Sequence, residues 1–162
     1  MRYTVKIGRK IKININTRIL GIDLGDKRTG TAVTDPTGIL ACGLEVIESS
    51  GLNDCAKKIM VLAEKYEIGL IVLGYPLNMN GTKGESALKT EKFKSILEKY
   101  IKEKDLKIKI MLFDERLSTS LAHVYMNETG IKGRNRKSKV DMLSAQIILQ
   151  NYIDSEKSKK IF

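Results

Sequence analysis

Two cysteines and one histidine in 162 residues leave little for soft-metal chemistry. Cys42 and Cys55 stand far from any C-x-x-C spacing and a lone imidazole cannot complete a zinc set, so structural zinc is excluded and a reducing, cytoplasmic compartment is expected. No apolar run approaches the ~20 residues of a membrane helix, which excludes a spanning segment. There is no repeat and no interdomain linker, and the length suits one domain with a sizeable core. Acids are in short supply too. Nineteen Asp and Glu face 29 Lys and Arg, leaving +10, and so basic a domain favours a polyanionic partner such as nucleic acid. The first 17 residues hold no acid at all. There Arg2, Lys6, Arg9, Lys10 and Lys12 accompany Ile11, Ile13 and Ile15 alternating with polar residues, a basic N-terminal extension that reads as an added edge strand or a disordered arm. It lacks the apolar core and small-residue cleavage site of a signal peptide.

What the chain does have is organised around residues 18–35, RILGIDLGDKRTGTAVTD. The pattern predicts an apolar strand carrying one carboxylate, Asp23, then a turn rich in glycine and charge, then a second strand: a hairpin. An acid at an apolar strand end needs a base, a donor set or a metal beside it if it is buried. Gly25 permits positive φ and close approach of a ligand. A third strand over 39–48 completes an antiparallel meander. Helical periodicity follows over 52–66, then a continuous apolar run at 69–74 of the kind covered on both faces of a sheet. Pro76 and the Asn80-Gly81 dipeptide make 75–82 a loop. A second amphipathic helix is expected over 85–101 and a fifth strand over 106–113. A third helix is expected to start at Ser118 or Thr119, with Leu121, Val124 and Tyr125 inward. His123, without a second His or Cys near it, reads as an ordinary surface or half-buried histidine. Residues 132–139, KGRNRKSK, form a basic loop, and Val140, Leu143, Ile147 and Ile148 stripe a last helix that frays after Ile153. Strands separated by helices after a meander mark a mixed sheet.

Three acids stand out by position: Asp23 on the first strand, Glu115 after the fifth, and Asp141 at the start of the last helix. Open sheets place their sites at the carboxyl ends of central strands, so Asp23 and Glu115 can meet there with the last helix laying Asp141 across them. Gathered carboxylates repel, and a divalent cation relieves the repulsion. Oxygen ligands alone select a hard ion, Mg2+ or Mn2+, which can align water and leaving group at a phosphodiester. Blander roles stay open. Ser138-Lys139-Val140-Asp141 also fits a capping box, and Glu115 can pair with Arg116 or a lysine.

Four stretches, GIDLGDKRTG around Asp23, VLGYPLNMNGT at 72–82, DERLST at 114–119 and KVDMLSAQIIL at 139–149, occur in the order found in the YqgF/RuvX family. The sequence resembles these small bacterial relatives of the RuvC resolvases, to which Holliday-junction resolution and processing of the 5′ end of pre-16S rRNA are both assigned. The resemblance spans about residues 18–153. It implies an α/β, ribonuclease H-like fold with a five-stranded mixed sheet, a β-meander then alternating α and β, flanked by helices, and residues 154–162 as a polar tail. It implies that Asp23, Glu115 and Asp141 are the catalytic and metal-binding triad of a phosphodiester hydrolase. Pre-rRNA or branched DNA would be the partner, with no membrane, and a homodimer is compatible with it. Tyr75 departs from a leucine, residues 1–17 precede the usual start, and the 69–74 strand ends without the central acid of better-known relatives.

Expected substrate contacts are Lys27, Arg28 and Arg116 beside the acids, Asn78 and Asn80 in the loop, and Lys132, Arg134, Arg136, Lys137 and Lys139 in the basic stretch. Asn is also common in turns for its own reasons. Two other classes compete. D-x-G-x-x-x-x-G at Asp23 to Gly30 also holds phosphate in actin-like ATPases, but 162 residues cannot build their two domains. A nucleic-acid binder without chemistry would use the +10 charge alone and would not depend on Asp23.

Overall fold

A computed structural model describes residues 17–116, Val124, Asn127 and 136–159. The meander is β1 (Arg18–Asp23), β2 (Arg28–Thr34) and β3 (Ala41–Glu48). Then come α1 (Leu52–Lys65), β4 (Ile68–Tyr75), α2 (Glu85–Glu103), β5 (Lys109–Asp114) and the last helix, α3 (Arg136–Ser158). The sheet order is β3-β2-β1-β4-β5. β2 runs antiparallel to β1 and β3, while β4 runs parallel to β1 and β5, so the sheet is mixed as the strand and helix spacing requires. Gly81 at φ 82° closes the turn expected from Asn80-Gly81.

Alternation along the strands assigns the two faces. Leu20, Ile22, Ile71 and Leu73 point to one side, where they pack with Cys55, Ile59 and Met60 of α1 and Phe93 and Leu97 of α2. Ala32, Leu70 and Val72 point to the other, against Ala145, Ile148, Leu149 and Tyr152 of α3. That second face is built from glycine. A Cβ on Gly21 would lie 2.7 Å from Leu149 Cβ, one on Gly43 2.8 Å from Met142 Cγ, and one on Gly74 2.8 Å from Ile148 Cδ1. Backbone-level approach of a helix is what a strand glycine allows.

Several expectations change. The stripe of α3 is not Val140, Leu143, Ile147 and Ile148. Val140 and Ile148 are buried, but Leu143 and Ile147 are only half-buried, and Ser144, Ala145, Leu149, Tyr152 and Ile153 complete the inner face. The strand glycines leave room for Leu149, Met142 and Ile148 to lie against the sheet backbone, which turns the helix so that its inner face differs from the stripe of largest apolar residues. Arg136 and Lys137 are already helical, so Ser138 lies inside α3 and is not an N-cap, and the helix runs on to Ser158, past Ile153. Val124 is exposed rather than turned inward. Residues 1–16, His123 and the start of the helix expected at Ser118 or Thr119 lie outside the described residues. Both thiols are free, and among the described residues no helix is long and apolar enough to cross a membrane.

Candidate active site

Asp23 is the last residue of β1 and stands opposite Gly30 of β2 in the antiparallel register. Odd-numbered β1 positions Gly21 and Asp23 share the α3 face, by alternation from Leu20 and Ile22 on the other. Gly30 is the contact point for α3: a Cβ there would lie 2.0 Å from the Asp141 carbonyl oxygen and 2.5 Å from its carbon. The missing side chain thus lets Asp141, 118 positions later in sequence, sit beside the cross-strand neighbour of Asp23. Burial first, and then the negative charge of Asp141, push the Asp23 carboxyl up to about 6.

The turn between β1 and β2 returns Arg28 to the same place. Gly25 does not take the expected positive φ. Its need is for space, because a Cβ would lie 2.1 Å from the Arg28 carbonyl oxygen. Lys89 of α2 clamps the turn by donating to the Gly25 carbonyl at 3.0 Å and to Asp26 Oδ1 at 2.8 Å. So held, Arg28 brings Nε to 3.3 Å from Asp141 Oδ2. Its Nη2 is buried and has no hydrogen-bond partner among the described residues. The buried Ser144 hydroxyl, one turn along α3 from Asp141, is in the same condition.

Glu115 arrives from β5. Its N–H donates to the Tyr75 carbonyl at 3.4 Å, which extends the β4–β5 ladder by one step. A Cβ on Gly74 would lie 2.5 Å from Glu115 Oε2, so the carboxylate occupies the space above Gly74. The register Ile22↔Leu73 makes Gly74 the neighbour level with Asp23. β4 ends without an acid, and Glu115, one residue past the neighbouring strand, places its carboxylate over that end.

The expected substrate contacts divide. Lys27 is exposed on the turn. Arg116 makes a close pair with Asp114, Nη2 to Oδ2 at 2.6 Å, and donates from Nη1 to the Met79 carbonyl at 3.3 Å, which ties the loop after β5 to the loop after β4. Asn78 and Asn80 close their own turn: Asn78 Nδ2 donates to Thr82 Oγ1 at 2.8 Å, and Asn80 Oδ1 accepts from Thr82 N at 3.0 Å. Tyr75 Oη donates to Glu91 Oε1 at 2.5 Å, and Lys83 pairs with the same oxygen, so the tyrosine braces β4 against α2. Arg136, Lys137 and Lys139 are not in a loop but in α3, where Lys137 and Lys139 are exposed. Lys132 and Arg134 lie outside the described residues.

Sequence reasoning missed Gly30, Gly74 and Ser144. A glycine inside a strand is the signal that finds the first two, since it marks close backbone approach. The donor chemistry fits a hard cation, because only carboxylate oxygens gather here and one of them has already drawn a guanidinium. As they stand, no three acidic, histidine or cysteine side chains among the described residues are grouped tightly enough to enclose an ion.

With this geometry in place, comparison with known proteins gives its context. The RuvX family pattern, described as Holliday junction resolvase, matches residues 17–155. A Ruminiclostridium cellulolyticum protein named "Putative pre-16S rRNA nuclease" is 46% identical over 139 residues, covering 85% of this chain and 94% of that one. A Clostridium tetani protein of the same name is 41% identical over 142 residues, covering 88% and 99%. Among solved structures, Thermus thermophilus RuvC in complex with Holliday junction substrate is similar, with a TM-score of 0.56, 14% identity and coverage of 88% of this chain and 96% of that chain. The yeast mitochondrial Holliday junction resolvase Ydc2 gives 0.57 at 15% identity, covering 91% and 82%. At those identities the likeness shows the ribonuclease H-like fold. The close relatives and the family pattern show the rest: this chain belongs to the RuvX family.

Proposed function

We propose that this RuvX-family chain is a nuclease that hydrolyses phosphodiesters with Mg2+ or Mn2+ held by Asp23, Asp141 and Glu115, and that its substrate is the 5′ region of pre-16S rRNA. One observation carries the reading. Asp23 and Asp141 come from distant parts of the chain, yet the Asp141 backbone fills the space of a Cβ on Gly30, the cross-strand neighbour of Asp23, so the two acids are held close. A fold that holds two like charges together at a strand end has use for a positive ligand there. When bound, the cation polarises the phosphate and lowers the pKa of attacking water.

This chain's own residues do the remaining work. Gly30 and Gly74 let Asp141 and Glu115 approach the end of β1, and all three acids come from one chain, so a homodimer is not needed to complete the set. The lysines at the start of α3 and Lys27 offer positive charge to the backbone of the nucleic acid. The substrate class follows the names of the close relatives, and a cytoplasmic protein is part of this reading. A four-way DNA junction is the second reading, favoured by the description of the family pattern.

Purified protein incubated with Mg2+ or Mn2+ and a labelled panel decides between them: single-stranded RNA, a pre-rRNA fragment, duplex and four-way junction. Cleavage of the pre-rRNA fragment, and its loss in excess EDTA, is the expected result. Full cleavage in EDTA would end the metal-nuclease reading, and cleavage of the junction alone would replace the substrate.

A further inference from the structure

Arg28 has an unusual position for a structural ion pair. Its Nε sits 3.3 Å from Asp141 Oδ2, longer than the roughly 2.7–2.9 Å of a tight charge-assisted bond. Its Nη2 is buried with no hydrogen-bond partner among the described residues. Guanidinium is a planar fork of donors suited to a carboxylate or phosphate, and here part of that fork is unmatched. The side chain is 20% exposed and that of Asp141 26%, so both are within reach of a ligand from solvent. The backbone is fixed by the Gly25 turn and the Lys89 clamp, which leaves the side chain as the part that can exchange partners.

We infer that Arg28 is an exchangeable counter-ion: it stands in for the cation at Asp141 in the metal-free protein, releases Asp141 when Mg2+ or Mn2+ binds, and then takes a non-bridging phosphate oxygen of the nucleic acid. This rests on the metal-nuclease reading. A divalent cation on Asp141 puts two positive charges beside a third, and repulsion between them drives the guanidinium toward the nearest anion. A phosphodiester held against the same cation is that anion, and its oxygens match the fork. Metal and nucleic acid then bind with positive coupling, and the coupling is reciprocal.

The test reads binding, not turnover. Mn2+ is titrated alone into wild type, Arg28→Gln and Arg28→Lys, and again with a cut-resistant phosphorothioate single-stranded RNA present. Arg28→Gln removes the competing charge, so it is expected to bind Mn2+ alone about tenfold more tightly than wild type. Its Mn2+ affinity should gain far less from RNA than that of wild type. Arg28→Lys keeps the charge but not the fork, so Mn2+ binding stays as in wild type while the gain from RNA shrinks. A glutamine variant that binds Mn2+ no more tightly than wild type overturns the inference. If that variant does not fold, the wild-type protein decides alone: equal Mn2+ affinity with and without RNA also overturns it. Absence of Mn2+ binding in every protein would fell the metal reading and this inference together. Intact Mn2+ binding indifferent to residue 28 would fell the inference only.

Discussion

On the α1/α2 face of the sheet the strands present Leu20, Ile22, Ile71 and Leu73 to Ile59, Met60, Phe93 and Leu97, large side chains that fill space between layers. On the α3 face they present Gly21, Gly30, Gly43 and Gly74, and the helix lies almost on the backbone. The first arrangement buries much apolar area, and α2 reaches the site through Lys89 at the β1–β2 turn. The second gives up side-chain burial at four strand positions and gains a fixed distance between a helix and a strand end. Both faces bury apolar side chains, but only the α3 face sets where Asp141 and Glu115 stand relative to Asp23. The consequence is that stability and activity should separate by face.

The largest effect is expected at the acid itself. Asp23→Asn keeps shape but weakens cation binding, and loss of several kcal/mol of transition-state stabilisation lowers cleavage by roughly a thousandfold or more. Nucleic-acid affinity measured without divalent ions should fall by less than about tenfold, since the contacts of surface lysines with the backbone do not involve this carboxylate. A variant that still cleaves would place the chemistry outside this carboxylate.

A paired substitution breaks the comparison most directly. Phe93→Ala opens a cavity on the α1/α2 face and should cost roughly 3–5 kcal/mol of stability. Its turnover per folded molecule should stay within about twofold, because it shares no partner with the acids. Gly30→Ala forces a methyl into the Asp141 backbone. Overpacking of that kind costs roughly 1–3 kcal/mol, yet displacing a reacting group by about 1 Å can lower the rate about a hundredfold. Thermal melts set beside single-turnover rates should put the two variants in opposite orders. The same order on both scales would mean that the faces are not specialised.

How much of this was legible beforehand follows the same division. The strands and the first two helices announce themselves by apolar period, and the acids by standing at the ends of those elements. The meander and the parallel strands followed from spacing. What the letters did not disclose is contact between distant segments: Gly30 against Asp141, Glu115 above Gly74, Arg28 on Asp141. The α3 stripe was misjudged for that reason, since which side of the helix faces inward is set by contacts such as Leu149 on Gly21 and Ile148 on Gly74. Ser138 also spells a capping box, but Arg136 and Lys137 before it are already helical, so it lies inside α3. The asparagines of the β4–α2 loop obeyed local turn chemistry, as their letters suggest.

A smaller effect sharpens the electrostatics of the α3 face. The folded-state value of about 6 at Asp23 lies above its ordinary value of 3.8, so between those limits the folded protein binds more protons than the unfolded one. Stability in the absence of divalent ions is thus greatest below about pH 4 with respect to this group, and is lost as pH rises through about 6. The loss is at most roughly 3 kcal/mol. Asp23→Asn should remove this dependence and be the more stable protein at pH 7 in EDTA, as measured by urea unfolding across pH. A wild-type curve that rises between pH 4 and pH 6, with Asp23→Asn following it, would contradict the burial of this carboxyl.

The smallest effect concerns surface charge. Lys137 and Lys139 are exposed on α3, about one turn or less before Asp141. Lys57 on α1 and Lys92 on α2 are equally exposed but belong to the helices covering the opposite face. If nucleic acid follows the α3 side, Lys137→Ala/Lys139→Ala should flatten the slope of log affinity against log salt by roughly 1.4–1.8, at 0.7 per phosphate contact on a single strand and 0.9 on a duplex. Lys57→Ala/Lys92→Ala lowers the net charge by the same amount and should leave the slope nearly unchanged, because counterions are released only where phosphates are contacted. Mn2+ affinity should be the same in both double variants within about twofold, since screened surface charges act weakly across the molecule. Equal flattening by the two pairs would mean that the basic excess attracts nucleic acid without directing it. The placement of the acids on the α3 face would then have no counterpart in how the substrate is held.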